Sequence, residues 1–400
     1  MKFVHSADIH LDSPLVGLRR YERAPVDELR LAPRRAFAKL VDLCLQERVQ
    51  FLLIAGDLFD RDWTDFGTGL EFVAQMARLC DADVPVIVLR GNHDAESAMS
   101  RSLKWPPNVR ILASDHVDRV TYDHVGVAIT GQSFATPDVR TNLARTYPAP
   151  LPGHFNIAML HTALDGREGH APYAPCALLD LIHTGYDYWA LGHIHAHEIV
   201  HERPWIVFPG NLQGRHVREI GAKGACLVSV EPSGVTVTHH ALDVVRWCSL
   251  VVESPASIDA LLDEAYRGME REVADACGRL VALRCVVFAE PALYTELTAN
   301  LDLIEQQLRA CALRTRGGRA WFERLRIELN PSASDSLHRQ LFSTTVDDSL
   351  RSDLRAYISM LNRKLRGCTE AEAELRSADD PLDSLFDEAR AWLNGAGNEA

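Results

Sequence analysis

Two kinds of apolar pattern alternate over the first 245 residues. Short runs of apolar and β-branched residues occur at "KFVHSA" (2–7), "FLLIAG" (51–56), "PVIVLRG" (85–91), "GVAITG" (126–131), "FNIAMLH" (155–161), "DYWALGH" (187–193), "WIVFPG" (205–210), "ACLVSVE" (225–231) and "VTVTHHAL" (235–242). Each has the length and composition of a buried or half-buried strand. Between the early runs, apolar residues recur at helical spacing over 32–48 and 67–82; Ala36, Leu40, Val41, Leu43 and Cys44 mark one face of the first. This order predicts an α/β fold, a two-sheet α/β sandwich with helices outside.

The pattern changes near residue 246. "CSLVVE", a helix over 256–275, "LVALRCVVFA", a helix over 292–313 and "AWFERLRIEL" predict a small α+β capping domain over 246–332. From 333 to 400 only helical patterns remain. Leu354, Tyr357, Ile358, Leu361 and Leu365 form a stripe on a helix with no core of its own, which suits either packing back on the chain or docking a partner.

Composition narrows the picture little. No apolar run reaches the length of a membrane span. The start "MKFVHSADIH" lacks the form of a secretory leader, and the nine scattered Cys include no C-x-x-C, so reduced thiols and a cytoplasmic location are expected. The net charge is −13, but residues 370–400 alone carry −7. The acidity therefore does not exclude a nucleic-acid partner, and no basic tract advertises one.

The ends of the strand-like runs carry the chemistry. Asp8 and His10 follow the first run, Asp57 and Asp60 the second, and Asn92, His93 and Asp94 the third; His161 ends "MLH", and His193 and His195 stand in "GHIH". In open α/β sheets the carboxyl ends of strands form the functional crevice. Imidazole nitrogens mixed with carboxylate and amide oxygens suit Mn²⁺, Fe or Zn²⁺ better than Ca²⁺ or Mg²⁺. Each fragment alone is weak, and the full ordered set is specific.

That ordered set, D-x-H…GD-x-x-D…GNHD…H…GH-x-H, resembles the signature of the calcineurin-like metallophosphoesterases. "HSADIHLDSPL", "HTALDG" and "FPGNLQGRHVREIGAKG" look like the SbcD/YhaO branch of DNA repair exonucleases, over residues 1 to about 245. The resemblance implies a metal-dependent DNA exo- or endonuclease with two divalent metal ions, Mn²⁺ being the family's preference. It implies that Asp8, His10, Asp57 and His195 hold one ion, and that Asp57, Asn92, His161 and His193 hold the other. His93 would be the general acid or stabilise the leaving oxygen, with Asp94 fixing its ring. It further implies a homodimer, and an SMC-like coiled-coil ATPase (SbcC or YhaN type) bound by the C-terminal helices.

Other residues are open between two readings. His5, inside the first run, reads as a packed core histidine. Asp12 suits support of the D-x-H loop or simple capping, and Asp60 suits orienting a ligand or a loop. Arg215, with His216, is a phosphate contact or a structural ion pair. His170 and Tyr173 shape substrate access or belong to a plain surface loop. Trp63 and Phe66 stack on a base, pack a dimer contact or, by default, pack in the core. The rival to the nuclease is a small-molecule or nucleotide phosphodiesterase or phosphatase using the same metals.

Overall fold

The structure is a computed structural model, which describes residues 1–11, 13, 25–60, 67–96, 104–166 and 172–330. Asp12, Trp63, Phe66, His170 and residues 331–400, which include the helical region expected over 333–400, lie outside the described residues. The chain divides into two compact units, Met1–Leu329 and Asn330–Ala400, and the description below is of the first.

Two six-stranded mixed sheets face each other, as the alternation of apolar runs predicts. The first has the order β12-β11-β1-β2-β3-β4. Its strands are β1 (Lys2–Ser6), β2 (Phe51–Ala55), β3 (Val86–Leu89), β4 (Val109–Ile111), β11 (Gly224–Glu231) and β12 (Gly234–Ala241). β1 to β4 run parallel, and β11 is antiparallel to β1. The second has the order β5-β6-β7-β8-β10-β9, from β5 (Asp118–Tyr122), β6 (Val127–Gly131), β7 (Phe155–His161), β8 (Tyr188–Gly192), β9 (Glu198–Glu202) and β10 (Trp205–Phe208).

Phe3, Phe51, Leu53 and Ile87 from one sheet meet Ile129, Ile157, Met159 and Tyr188 from the other in the central layer. On the outer face of the first sheet lie α1 (Val26–Glu47) and α2 (Gly67–Cys80), with Phe37, Leu40, Phe72 and Met76 packed on Val4, Leu52 and Val88. Every residue of β2 and β3 is buried, which explains their unbroken apolar runs: strands covered on both faces need no polar alternation.

α1 starts at Val26, well before the expected helix at 32–48, and carries Pro33 inside it. β4, β5 and β9 were not expected. Their sequences, "VRI", "DRVTY" and "EIVHE", are short and largely half-exposed, so they carry neither an apolar run nor a clean alternation.

The third sheet is parallel, in the order β13 (Val245–Glu253), β14 (Leu280–Ala289), β15 (Ala320–Leu329). The short α3 (Asn92–Glu96) and α4 (Leu178–Ile182) belong to the sandwich; α5 (Ile258–Asp275), α6 (Pro291–Ala299) and α7 (Leu301–Arg314) belong to this sheet. The single helix expected over 292–313 is two, broken at Asn300, whose φ of −115° leaves the helical region. The near ends of these strands pack through Trp247, Ala282 and Trp321 onto Leu29 and Ala32 of α1. At this junction the buried Asp243 pairs with Arg246 at 3.0 Å and Arg279 at 3.1 Å.

Candidate metal centre

The chemistry-bearing residues collect at the carboxyl ends of β1, β2, β3, β7 and β8. The loops after β1 and β2 are zipped together by Asp8 N–H to Gly56 O and His10 N–H to Asp57 O, each 3.0 Å, and Leu11 N–H to Leu58 O at 2.9 Å. To make that turn, Asp8, His10 and Asp57 adopt φ of +49°, +45° and +49°, and His193 stands at +98°. Side chains rarely accept this region, and each such residue costs on the order of 1–3 kcal/mol. Four of them in one crevice mark a place where position outweighs backbone comfort.

Two glycines are required by close approach. A Cβ on Gly56 would stand 2.2 Å from His161 Nδ1, and one on Gly91 would stand 2.3 Å from Asp57 Oδ1. The G of "GD" and of "GNHD" is there because a neighbour's functional side chain passes over it.

The donor atoms converge. His10 Nε2 lies 3.3 Å from His195 Nε2 and 3.9 Å from Asp57 Oδ2. His195 Nε2 lies 3.9 Å from Asp8 Oδ1. His161 Nε2 lies 3.5 Å from Asp57 Oδ2 and 3.1 Å from Asn92 Oδ1. Asp57 Oδ2 thus stands between His10 and His161, while its Oδ1 accepts the His93 backbone N–H at 2.9 Å. Among the described residues the groups able to share one ion are Asp8 with His10 and His195, Asp8 with Asp57 and His161, and His10 with Asp60 and His93. His193 is in none of them; its ring stands edge-on to His161 and Tyr173, with centroids 5.3 and 5.4 Å away.

A cation fits this donor set. Two imidazole Nε2 atoms face each other at 3.3 Å, where they either share one N–H or offer both lone pairs to a cation. His10 Nδ1 is buried with no hydrogen-bond partner. Burial, with the nearby Arg215 charge, pushes His10 down to about 3 and so keeps it neutral, as a ligand must be. Burial raises Asp8. Burial also works against ionised Asp57, yet the His161 charge outweighs it and holds Asp57 well below the usual carboxylate range. His161 is correspondingly lifted to about 9, Asp57 overcoming the penalty of its burial.

The ring orientations follow a rule. His161 Nδ1 donates to Ala55 O at 3.0 Å, and His195 Nδ1 donates to Glu219 Oε1 at 2.7 Å. Both therefore turn Nε2 inward. His93 Nδ1 lies 2.8 Å from Asp60 Oδ1, off the line of a good hydrogen bond, and the His93 side chain is 26% exposed. Burial lowers His93, but contact with Asp60 and the charge of Asp57 prevail and raise it.

Asp94, expected to fix the His93 ring, does something else. Its buried carboxylate accepts from the backbone N–H of Phe59 at 2.9 Å, Gly91 at 3.1 Å and Leu58 at 3.2 Å. It ties the loops after β2 and β3 together, and Asp60 takes the place beside His93. Burial, with the charge of Asp57, pushes Asp94 up to about 6 against those three donors.

Arg215 lies over the centre in ion pairs, 3.1 Å from Glu219 Oε1 and 3.7 Å from Asp60 Oδ2. His216 is half-exposed, 3.7 Å from the same Glu219 oxygen. Glu219 was not singled out in the sequence. It sits in "REIG", a loop without apolar pattern, and its burial and its hydrogen bond from His195 come only with the fold. His5 is a fully buried core histidine. Its Nε2 donates to Leu191 O at 3.1 Å, so Nδ1 accepts from the Tyr188 hydroxyl at 3.0 Å.

Comparison with known proteins agrees with this geometry. Residues 1–197 match the calcineurin-like phosphoesterase family, and residues 246–330 match the metallophosphoesterase YhaO middle domain. The chain is 31% identical over 290 residues to the uncharacterized metallophosphoesterase YhaO of Bacillus subtilis, covering 70% of this chain and 71% of that one. It is 25% identical over 205 residues to the DNA double-strand break repair protein Mre11 of Sulfolobus acidocaldarius, covering 49% of this chain and 50% of that relative's length. A solved dimetal phosphatase from Danio rerio covers 57% of this chain and 92% of its own at 10% identity, with a TM-score of 0.34, too loose a likeness to carry an argument.

Proposed function

The chain belongs to the YhaO-type calcineurin-like metallophosphoesterases and is a metal-dependent phosphoesterase; within that class, we propose that it is a DNA nuclease with a two-metal centre. The observation that carries the reading is the donor set itself: Asp8, His10, Asp57, Asn92, His161 and His195 converge at five strand ends, with His93 half-buried at the edge. In this reading Asp8, His10, Asp57 and His195 hold one ion, and Asp57, Asn92 and His161, with His193, hold the other. Mn²⁺ suits such mixed nitrogen and oxygen donors.

When bound, a pair of divalent cations would lower the pKa of water so that hydroxide is available near neutral pH, and would neutralise charge building on the phosphoryl group. The chain's own groups do the rest. His93, kept protonated by Asp60, donates its proton to the leaving oxygen. Asp94 holds the loops after β2 and β3 in register. His161 is fixed from behind by Ala55 O, and it and Asn92 turn their donor atoms toward the centre.

DNA as substrate is supported by the Mre11 relatives, which are DNA double-strand break repair proteins. The rival small phosphodiester is favoured by the charge of −13 and the lack of a basic tract. An assay with Mn²⁺ on end-labelled linear duplex and single-stranded DNA decides, with His93→Ala and a chelator beside it. Metal-dependent cuts lost in His93→Ala support the nuclease. Intact DNA with hydrolysis of a small phosphodiester supports the rival.

Two partner readings complete the proposal. Residues 333–400 dock a coiled-coil ATPase of the SMC type, and two copies of the chain pair. Among the described residues no helix is long and apolar enough to cross a membrane.

A further inference from the structure

We infer that Glu219 is a positioning residue, which holds the His195 ring so that its Nε2 meets one ion of the centre. The inference rests on the two-metal reading above. Its basis is a difference between the two rings that turn Nε2 inward. The His161 side chain is fully buried, and a backbone carbonyl suffices to fix it. The His195 side chain is 21% exposed, the looser of the two rings, and its outer Nδ1 meets a carboxylate, at 2.7 Å, where that of His161 meets a carbonyl.

The carboxylate is itself immobilised. Glu219 Oε2 accepts from Arg215 N–H at 2.7 Å and Asn211 Nδ2 at 3.0 Å, and Oε1 also accepts from Arg215 Nη2 at 3.1 Å. Asn211 is fully buried, and Lys223 Nζ donates to His195 O at 2.7 Å. The loop 211–219 is in turn bolted to β13. Gln213 Oε1 accepts from Val244 and Val245 N–H at 2.8 and 3.2 Å, and Trp247 Nε1 donates to Gly214 O at 3.0 Å. A plain ion pair with Arg215 would need none of the contact to His195. A ligand imidazole whose outer N–H meets a fixed carboxylate has its tautomer and direction set, and loss of such a partner typically costs 10–100-fold in metal affinity.

The test is a Mn²⁺ titration of the full chain after chelation, reading free Mn²⁺ by electron paramagnetic resonance. Glu219→Gln, His195→Ala and the double variant run beside the parent, with circular dichroism reporting the fold. The expected result is two ions on the parent. Glu219→Gln then weakens one of them 10–100-fold and leaves the other unchanged. His195→Ala weakens the same ion, and adding Glu219→Gln to it costs nothing more, since the two residues act as one unit. Equal weakening of both ions, no weakening, or additive effects in the double variant overturns the inference while the two-metal reading stands. A parent that binds no Mn²⁺ overturns both.

Discussion

Asp60, not the neighbouring Asp94, is the carboxylate against His93, at 2.8 Å from its Nδ1. The acid three residues after Asp57 thus reaches across to a histidine 33 residues further along the chain. If His93 donates the proton, Asp60→Asn lowers its pKa, so the protonated acid is lost at a lower pH. The alkaline limb of kcat on a chromogenic phosphodiester should shift down in pH, and kcat at neutral pH should fall about 10–100-fold, within the range of general acid catalysis. An unshifted limb in Asp60→Asn would remove Asp60 from the proton transfer.

His161 ties metal loading to protons. Without metal its Nδ1 proton is given to Ala55 O, and its pKa of about 9 puts a second proton on Nε2 at neutral pH. A cation can take Nε2 only by displacing that proton. Mn²⁺ added to the metal-free chain in weak buffer at pH 7 should release about one proton per chain, and apparent affinity should rise with pH up to about 9. A His161→Ala chain should release none from this site. Unchanged pH on loading the parent would contradict the assignment.

His5 makes stability sensitive to acid. Its burial pushes the pKa from an ordinary 6.5 down to about 3. The unfolded chain therefore takes up a proton that the folded chain refuses, so stability is full above about pH 6.5 and falls as pH drops toward 3. Between pH 7 and pH 5 the loss from this one group is about 2 kcal/mol. His5→Gln should be less stable at pH 7 but should lose less between pH 7 and 5. Urea midpoints of the metal-free chains at both pH values test this, and parallel losses would refute it.

Asp243 is the carboxylate at the junction of the sandwich with the third sheet, fully buried and clamped by Arg246 and Arg279. Asp243→Ala leaves two guanidinium groups facing a site with no countercharge. Removing one partner of a buried pair costs about 3–5 kcal/mol. Equilibrium unfolding in urea should show a loss of that order, whereas Arg319→Ala, at an exposed pair with Glu28, should cost well under about 1 kcal/mol.

Residues 333–400 carry the proposed partner contact. A chain ending at residue 332 should fail to capture the coiled-coil ATPase in a pull-down and should still bind Mn²⁺. Capture by the shortened chain would move the contact elsewhere.

The strands that end in the centre were legible because they are buried on both faces, so each apolar run stops abruptly at a polar residue. Asp8, Asp57, Asn92, His161 and His195 could be picked out by that rule. The choice between Asp60 and Asp94 could not. Both lie within a turn of a ligand, and which one meets His93 depends on how the loops after β2 and β3 cross. Glu219 was hidden for the same reason, since its value comes from the approach of a loop to a strand end 24 residues earlier. α1 begins before the expected 32–48 and carries Pro33 inside it, although a proline ordinarily suits the first turn of a helix.

The contact between His10 and His195 joins points 185 residues apart in the chain. No shorter piece of the protein contains both halves of the centre. A ribosome making this chain must release Glu219 before the last inward ring has its support, by which time the second sheet has all its strands and the first has four of its six. The donor set therefore stays incomplete until His195 has been made. The geometry of the centre arrives late and all at once, as a property of closing long-range contacts rather than of any motif already made.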